Sequence, residues 1–246
     1  MRTQRLTLIL FAALTLTPAA SAQGPPAKRG VIFVVDGIGG MDLLCASAKL
    51  MLPHKGVVHE VQPFRWSHGT GQYARDLFDR PHLLRKAREL ADQVNAVLAR
   101  DPSTPVYLIG RSGGAALVIH TAEQLPPRSL ERLILLSAGI SSGYDLRPAL
   151  RAVRGEIVSF HSKNDQLVLN WGTRTFGTLD RVRSPGAGLA GFVPPKDLDE
   201  TDRALYARLV QIPWRPRMLC VGHTGSHLGT ALPLFLGAEV APWLKK

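Results

Sequence analysis

The chain has 246 residues, of which 45% are hydrophobic and 20% charged, and its 30 lysines and arginines against 19 aspartates and glutamates give a formal net charge of +11. This apolar fraction can fill a core, which excludes a disordered tail, and two cysteines are too few for a disulfide-dense miniprotein. The arginines are spread along the sequence and form no basic tract, so the charge does not indicate a nucleic-acid partner.

Residues 1–22 have the three parts of a secretory signal peptide. A start with two arginines is followed by an apolar run at 6–16, and Ala20-Ser21-Ala22 is the small-x-small pattern after which a signal peptidase cuts. The run is too short to span a bilayer, and no later stretch is long enough. We therefore expect a leader at 1–22, a mature domain at 23–246 without a membrane span, and export to the periplasm or out of the cell.

Beyond the leader, apolar β-branched runs alternate with segments of helical spacing. The predicted strands are 31–35, 57–64, 105–109, 133–137, 157–160 and 217–221, and the predicted helices are 41–51, 79–100, 113–124, 146–153 and 199–210. Strands separated by helices connect through parallel crossovers. The pattern thus predicts an α/β domain, a three-layer αβα sandwich with a mostly parallel central sheet. Segment 171–196, rich in Gly, Pro, Ser and Thr, breaks the alternation, and we expect a lid or a long loop there.

The strand at 105–109 runs directly into Gly110-Arg111-Ser112-Gly113-Gly114, and a helical pattern begins at once. This is G-x-S-x-G between a strand and a helix, a turn that presents a serine at the carboxyl edge of a sheet. The two outer glycines are needed where a Cβ would collide with a neighbouring element. The amide of Gly113 lies at a helix N-terminus, where it favours an oxyanion.

This strand, turn and helix resemble the nucleophile elbow of the α/β-hydrolase superfamily of esterase-like and lipase-like serine hydrolases. The resemblance implies a compact α/β-hydrolase fold and a catalytic acid and base that follow Ser112 in that order. Asp165, in the polar loop after strand 157–160, is implied as the acid. The small-small-His loop of the family is similar to the sequence before His227, so we expect His227 to be the base and keep His223 as the alternative.

The resemblance also implies a second oxyanion donor in the loop after the first strand. In Asp36-Gly37-Ile38-Gly39-Gly40 the matching position is Ile38. Asp36 and Arg111 stand where many relatives carry His, and the charge of Arg111 predicts a polar or anionic substrate. The glycines of this loop do not fit a dinucleotide site, because the third small residue of G-x-G-x-x-G is missing.

Neither a metal nor another cofactor is expected. His223 and His227 have the spacing of a helical zinc pair, but no glutamate follows in the HExxH sense, and Gly225 between them opposes a helix. We expect Cys45 and Cys220 to be free and buried, because the predicted sheet separates them by several strands.

These features predict an exported serine hydrolase that cleaves a carboxylic ester or related acyl bond of a small-molecule or lipid-like substrate. An acyltransferase would use the same residues with an alcohol in place of water. A binding module that keeps the fold without turnover is the alternative from another class. The sequence does not predict the oligomeric state.

Overall fold

The central sheet is parallel throughout. The computed structural model describes residues 28–165, 178–182 and 184–245. Over these residues the strands are β1 (Val31–Val35), β2 (Glu60–Pro63), β3 (Val106–Arg111), β4 (Arg132–Leu136), β5 (Ile157–His161) and β6 (Leu209–Pro213). They lie in the order β2-β1-β3-β4-β5-β6, and each neighbouring pair is parallel. The predicted α/β class and parallel sheet are confirmed.

Helices cover both faces of the sheet. The α-helices are α1 (Leu43–His54), α2 (Tyr73–Phe78), α3 (Arg80–Arg100), α4 (Gly113–Ala122), α5 (Arg147–Ala152), α6 (Ala187–Ala190), α7 (Glu200–Tyr206) and α8 (Pro233–Phe235). Residues of α3, α4 and α5 pack on one face, whereas α1 and the C-terminal helical turns pack on the other. Because both faces are covered, the central strands are apolar on both sides rather than alternating.

The last strand does not lie where the sequence predicts it. Helix α7 ends at Tyr206, so the predicted helix 199–210 is too long, and β6 pairs with β5 instead. Segment 217–221 is helical, within the 3₁₀ helix Pro216–Val221. Edge strand β6 is short and only half-buried, so its apolar signal is weaker than that of 217–221.

This displacement also changes the environment of one cysteine. Both thiols are free, as expected, but Cys220 is exposed on the 3₁₀ helix, so the prediction that it is buried is wrong. Cys45 is buried on α1, and its Sγ lies 3.5 Å from the carbonyl oxygen of Val34. Burial, with the nearby charges of Asp36 and Asp42, raises the pKa of Cys45 to about 12, so this thiol stays protonated at neutral pH.

The predicted leader and part of the predicted lid lie outside the described residues. In 171–196 the structure describes 178–182 and 184–196, which include α6 and therefore are not wholly irregular. Among the described helices, none combines the length and the apolar character that a membrane span requires.

The close contact between β1 and α4 gives the first prediction. A Cβ on Gly114 would lie 2.4 Å from the carbonyl oxygens of both Val35 and Asp36, and this backbone cannot move aside cheaply. We expect Gly114→Ala to cost about 2–3 kcal/mol by overpacking, which corresponds to a fall in Tm of about 5–10 °C for a domain of this size. Differential scanning calorimetry of the variant and the wild type measures this fall in Tm.

The matched control is Gly143→Ala. A Cβ on Gly143 meets nothing within 4 Å, so its Tm should stay within about 2 °C of the wild type, the usual range for a surface substitution. Equal Tm values for the two variants would contradict the packing described here.

Candidate active site

Ser112 lies in the turn between β3 and α4 with an unusual backbone conformation. Its φ is 53° and its ψ is −118°, a backbone conformation that residues other than glycine rarely adopt. The Ser112 N–H donates to the carbonyl of Leu136 at 2.9 Å, and the Ser112 carbonyl accepts from Gly139 at 3.0 Å. These bonds to the β4 side of the turn hold the strained residue in place, as expected for a nucleophile elbow.

The two predicted oxyanion donors come from neighbouring loops. The Gly113 amide begins α4, and the loop that contains Ile38 follows β1, which pairs with β3. A Cβ on Gly113 would lie 2.9 Å from Cγ2 of Ile38, and one on Gly37 would lie 3.2 Å from Cβ of Ser112. Among the described residues neither the Ile38 nor the Gly113 amide has a hydrogen-bond acceptor, as two oxyanion donors require.

Asp36 and Arg111, the two departures from the family pattern, form a buried ion pair with each other. Arg111 Nε and Nη2 lie 2.8 and 2.7 Å from Asp36 Oδ1, and both side chains are buried. The guanidinium is therefore paired inside the protein, and its charge no longer supports the expectation of a polar or anionic substrate. The pair instead connects the serine turn to the loop that contains Ile38.

The structure brings two of the predicted triad residues together. His227 Nδ1 donates to Asp165 Oδ2 at 2.7 Å, and Asp165 is buried in the loop after β5. A proton on Nδ1 leaves the lone pair on Nε2, which is the tautomer that a general base needs. Gly225 packs against Asn164 and so brings the two loops into contact.

A chain of contacts connects the histidine loop to the serine turn. The hydroxyl of Thr230 lies 3.5 Å from the carbonyl oxygen of His227 and 3.4 Å from the hydroxyl of Ser137. Ser137 directly follows Leu136, whose carbonyl binds the Ser112 amide. Among the described residues, no hydrogen bond joins Ser112 and His227. Such catalytic bonds often form only when substrate is bound.

His223, the alternative base, occupies a packed structural position. Its Nδ1 accepts from the Gly225 N–H at 3.3 Å, its ring packs edge-on against Phe235, and Gly229 lies so close that a Cβ there would clash with it. Burial lowers the pKa of His223 to about 4, against the opposing effect of the Asp165 charge. The ring is therefore neutral at pH 7 and serves as an acceptor within its own loop.

Apolar side chains pack closely around Gly113. Three of them converge within 3.2 Å of where a Cβ of Gly113 would stand, namely Ile38, Trp66 and Leu179. Leu179 comes from the predicted lid segment and is anchored by its N–H to the carbonyl of Gly139 at 3.1 Å. A separate observation is a cleft of about 330 Å³ lined by Gly37 and by residues of the 64–70 loop.

The sequence did not predict the ion pair between Asp36 and Arg111 or the position of Leu179 beside Gly113. Asp36 and Arg111 were each visible as charges at the ends of apolar strands, but only the β1–β3 register shows that they meet. Leu179 carries no sequence signal, because its position depends on the path of an irregular segment. Within 28–165, 178–182 and 184–245, no three His, Cys, Asp or Glu side chains gather to hold a metal ion.

The architecture is similar to that of solved esterases. The esterase Pf2001 of Pyrococcus furiosus has a TM-score of 0.53 at 12% identity, over 89% of this chain and 83% of its own. A lipase-esterase related protein of Clostridium acetobutylicum has a TM-score of 0.50 at 11% identity, over 89% of this chain and 96% of its own. No protein-family model matches the sequence, and a search of curated protein sequences finds no significant match. The likeness establishes that the chain has the α/β-hydrolase fold.

The buried His223 makes stability depend on pH. Because its pKa is about 4 in the folded state and about 6.5 when unfolded, the unfolded chain binds more protons between these values. The contribution of the neutral His223 ring to the free energy of unfolding is therefore complete above pH 6.5 and is lost as the pH falls towards 4. Between pH 7 and pH 4.5, we expect the free energy of unfolding of His223→Gln to fall by about 2 kcal/mol less than that of the wild type. Urea unfolding at the two pH values measures this difference.

The control for this titration is His54→Gln, which makes the same substitution at an exposed histidine. Its stability should follow the wild-type pH dependence. Parallel curves for all three proteins would show that His223 is not held neutral in the fold.

Proposed function

We propose that the protein is an exported serine hydrolase that cleaves a carboxylic ester through an acyl-enzyme. The observation that carries the proposal is the pairing of His227 with Asp165 at the same sheet edge as the strained Ser112. The likeness in fold to proteins described as an esterase and as lipase-esterase related supports the same class. No cofactor takes part in this chemistry.

In the first half-reaction Ser112 Oγ attacks the ester carbonyl, while His227 Nε2 takes the hydroxyl proton. The carbonyl oxygen becomes an oxyanion, and the amides of Ile38 and Gly113 donate to it. Asp165 keeps the His227 ring oriented and stabilises its charged form. The tetrahedral intermediate then collapses, the C–O bond to the alcohol breaks, and His227 returns the proton to the leaving oxygen.

In the second half-reaction water replaces the alcohol. His227 removes a proton from the water, which attacks the acyl carbonyl in the same oxyanion site. Collapse of the second intermediate breaks the bond to Ser112 Oγ, which takes back its proton from His227. A free carboxylic acid leaves, and the enzyme returns to its initial state.

The walls around Gly113 favour an apolar acyl group. Ile38, Trp66 and Leu179 pack around Gly113 with carbon atoms, and the nearby guanidinium of Arg111 is already paired. Transfer of an apolar acyl chain from water to such a surface is favourable, at about 25 cal/mol per Å² buried. Small-molecule or lipid-like acyl esters are the substrates that fit these walls.

Export forms the second part of the proposal, and the signal-like sequence at 1–22 supports it. When the full-length chain is expressed in a bacterial host, we expect the periplasmic or secreted fraction to contain a protein that begins at Gln23. N-terminal sequencing of that fraction measures the cleavage site. A cytoplasmic product that retains Met1 would contradict export.

Ester hydrolysis by active-site variants tests the catalytic assignment. We expect Ser112→Ala, His227→Gln and Asp165→Asn each to lower kcat for p-nitrophenyl acetate or butyrate by at least about 10³-fold. His223→Gln is the matched control for His227→Gln and should keep most of the activity, because His223 bonds within its own loop. Loss of activity in His223→Gln together with full activity in His227→Gln would reverse the choice of base.

A non-catalytic binding module is the second candidate, and the lack of a hydrogen bond between Ser112 and His227 among the described residues is the observation that favours it. The two candidates differ in whether Ser112 turns over an ester. A folded wild-type protein with no hydrolysis above that of Ser112→Ala, over acyl chains of two to twelve carbons, would overturn the hydrolase proposal in favour of the binding module.

A further inference from the structure

Two buried carboxylates hold the loop that carries Ile38. Among the residues the structure describes, the three consecutive amides of this loop, those of Gly37, Ile38 and Gly39, differ in their hydrogen-bond acceptors. The Gly37 N–H donates to Asp36 Oδ1 at 2.7 Å and the Gly39 N–H donates to Asp76 Oδ2 at 2.7 Å, whereas the Ile38 N–H between them has no acceptor. The two outer amides point to carboxylates, and the middle one stays available.

Asp36 connects this loop to the nucleophile turn. Its Oδ1 also accepts from Arg111, the residue before Ser112, and its Oδ2 accepts from the Leu44 N–H of α1 at 2.7 Å. The Asp36 carbonyl accepts from Trp66 Nε1 at 2.8 Å. Asp36 therefore fixes the start of the loop relative to both β3 and the first turn of α1.

Asp76 fixes the other end of the loop from a different element. It lies on α2 and is only 1% exposed. Besides the Gly39 amide, it accepts from the Ser67 hydroxyl at 2.6 Å and from the backbone and Nδ1 of His68 at 2.8 and 2.9 Å. Burial alone would raise the pKa of Asp76, but these donors outweigh it and hold the pKa below its ordinary value, so the group is a carboxylate at neutral pH.

We infer that Asp36 and Asp76 are positioning residues that orient the Ile38 amide for the oxyanion. The inference rests on the proposed function and extends it to residues that touch neither substrate nor the reacting atoms. Hydrogen bonds to a charged acceptor are shorter and stronger than neutral ones. A peptide unit held at both neighbours by such bonds cannot rotate its N–H away without breaking one of them.

The expected effect follows from what an oxyanion donor contributes. Removal of one donor typically lowers kcat by about 10²- to 10³-fold. A donor that is present but free to turn away loses part of this effect. We therefore expect Asp76→Ala to lower kcat by about 10- to 100-fold, with KM changed by less than about threefold because the ground-state ester makes weaker use of the oxyanion site.

The test measures kcat and KM for p-nitrophenyl acetate, with kcat expressed per reactive serine titrated to its end point with a fluorophosphonate. This normalisation removes the contribution of misfolded molecules. A trifluoromethyl ketone forms an oxyanion when Ser112 Oγ adds to its carbonyl carbon. It should bind the Asp76→Ala variant about 10- to 100-fold more weakly than it binds the wild type. Asp76→Asn can present its amide oxygen to the Gly39 N–H, and it should recover at least half of the loss in log kcat.

The matched control is His68→Ala, which removes one donor from Asp76 Oδ1 and leaves the bond from Gly39 to Oδ2 intact. Its kcat should stay within about threefold of the wild type. If Asp76→Ala does not fold, the double variant Asp36→Ala/Arg111→Met releases the Gly37 end of the loop without leaving one buried charge unpaired. It should show the same fall in kcat and in ketone binding.

The outcomes separate this inference from the proposed function. Wild-type turnover that depends on Ser112, combined with an Asp76→Ala kcat within threefold of the wild type, would overturn the positioning role alone. An equal fall in His68→Ala would also overturn it, because the effect would then come from general loosening. Absence of any Ser112-dependent turnover would overturn the proposed function, and the positioning role with it.

Discussion

The geometry of the candidate active site depends on the strained backbone of Ser112. A non-glycine residue at φ 53° and ψ −118° costs about 1–3 kcal/mol and persists only where its surroundings hold it. Here the Ser112 amide continues the hydrogen-bond pattern between β3 and β4, and Gly139 donates to its carbonyl. Close packing of β1 against the start of α4 leaves room only for glycine at 114. The same constraints place Ser112 and the Gly113 amide at the carboxyl end of β3, where α4 begins.

Charges inside this region organise the backbone instead of contacting solvent. Asp36 and Arg111 form an ion pair that joins the two strands whose carboxyl ends carry the candidate site. A buried pair of this kind contributes little net stability, because desolvation offsets much of the attraction. Its consequence is geometric: the loop after β1 and the turn after β3 cannot move independently.

Much of this arrangement could be predicted from the sequence, since the signals were local. G-x-S-x-G between an apolar strand and a helix predicted the turn at Ser112, and alternating strands and helices predicted the parallel sheet. The last strand could not be placed correctly, because β6 is a half-buried edge strand whereas 217–221 is more apolar and helical. The pairing of Asp36 with Arg111 and the position of Asp76 depend on tertiary register, which no single segment encodes. His227 and His223 could be ordered only by a loop resemblance, whereas their hydrogen bonds differ plainly in the structure.

The proposed chemistry requires Ser112 to be an activated nucleophile, and covalent labelling measures this activation directly. A protein that starts at Gln23 would be treated with a fluorophosphonate and analysed by intact mass and peptide mapping, beside the Ser112→Ala variant. We expect one phosphonyl group per molecule, located on Ser112 and lost in the variant. A folded wild-type protein that remains unlabelled, or that is labelled at another residue, would contradict it.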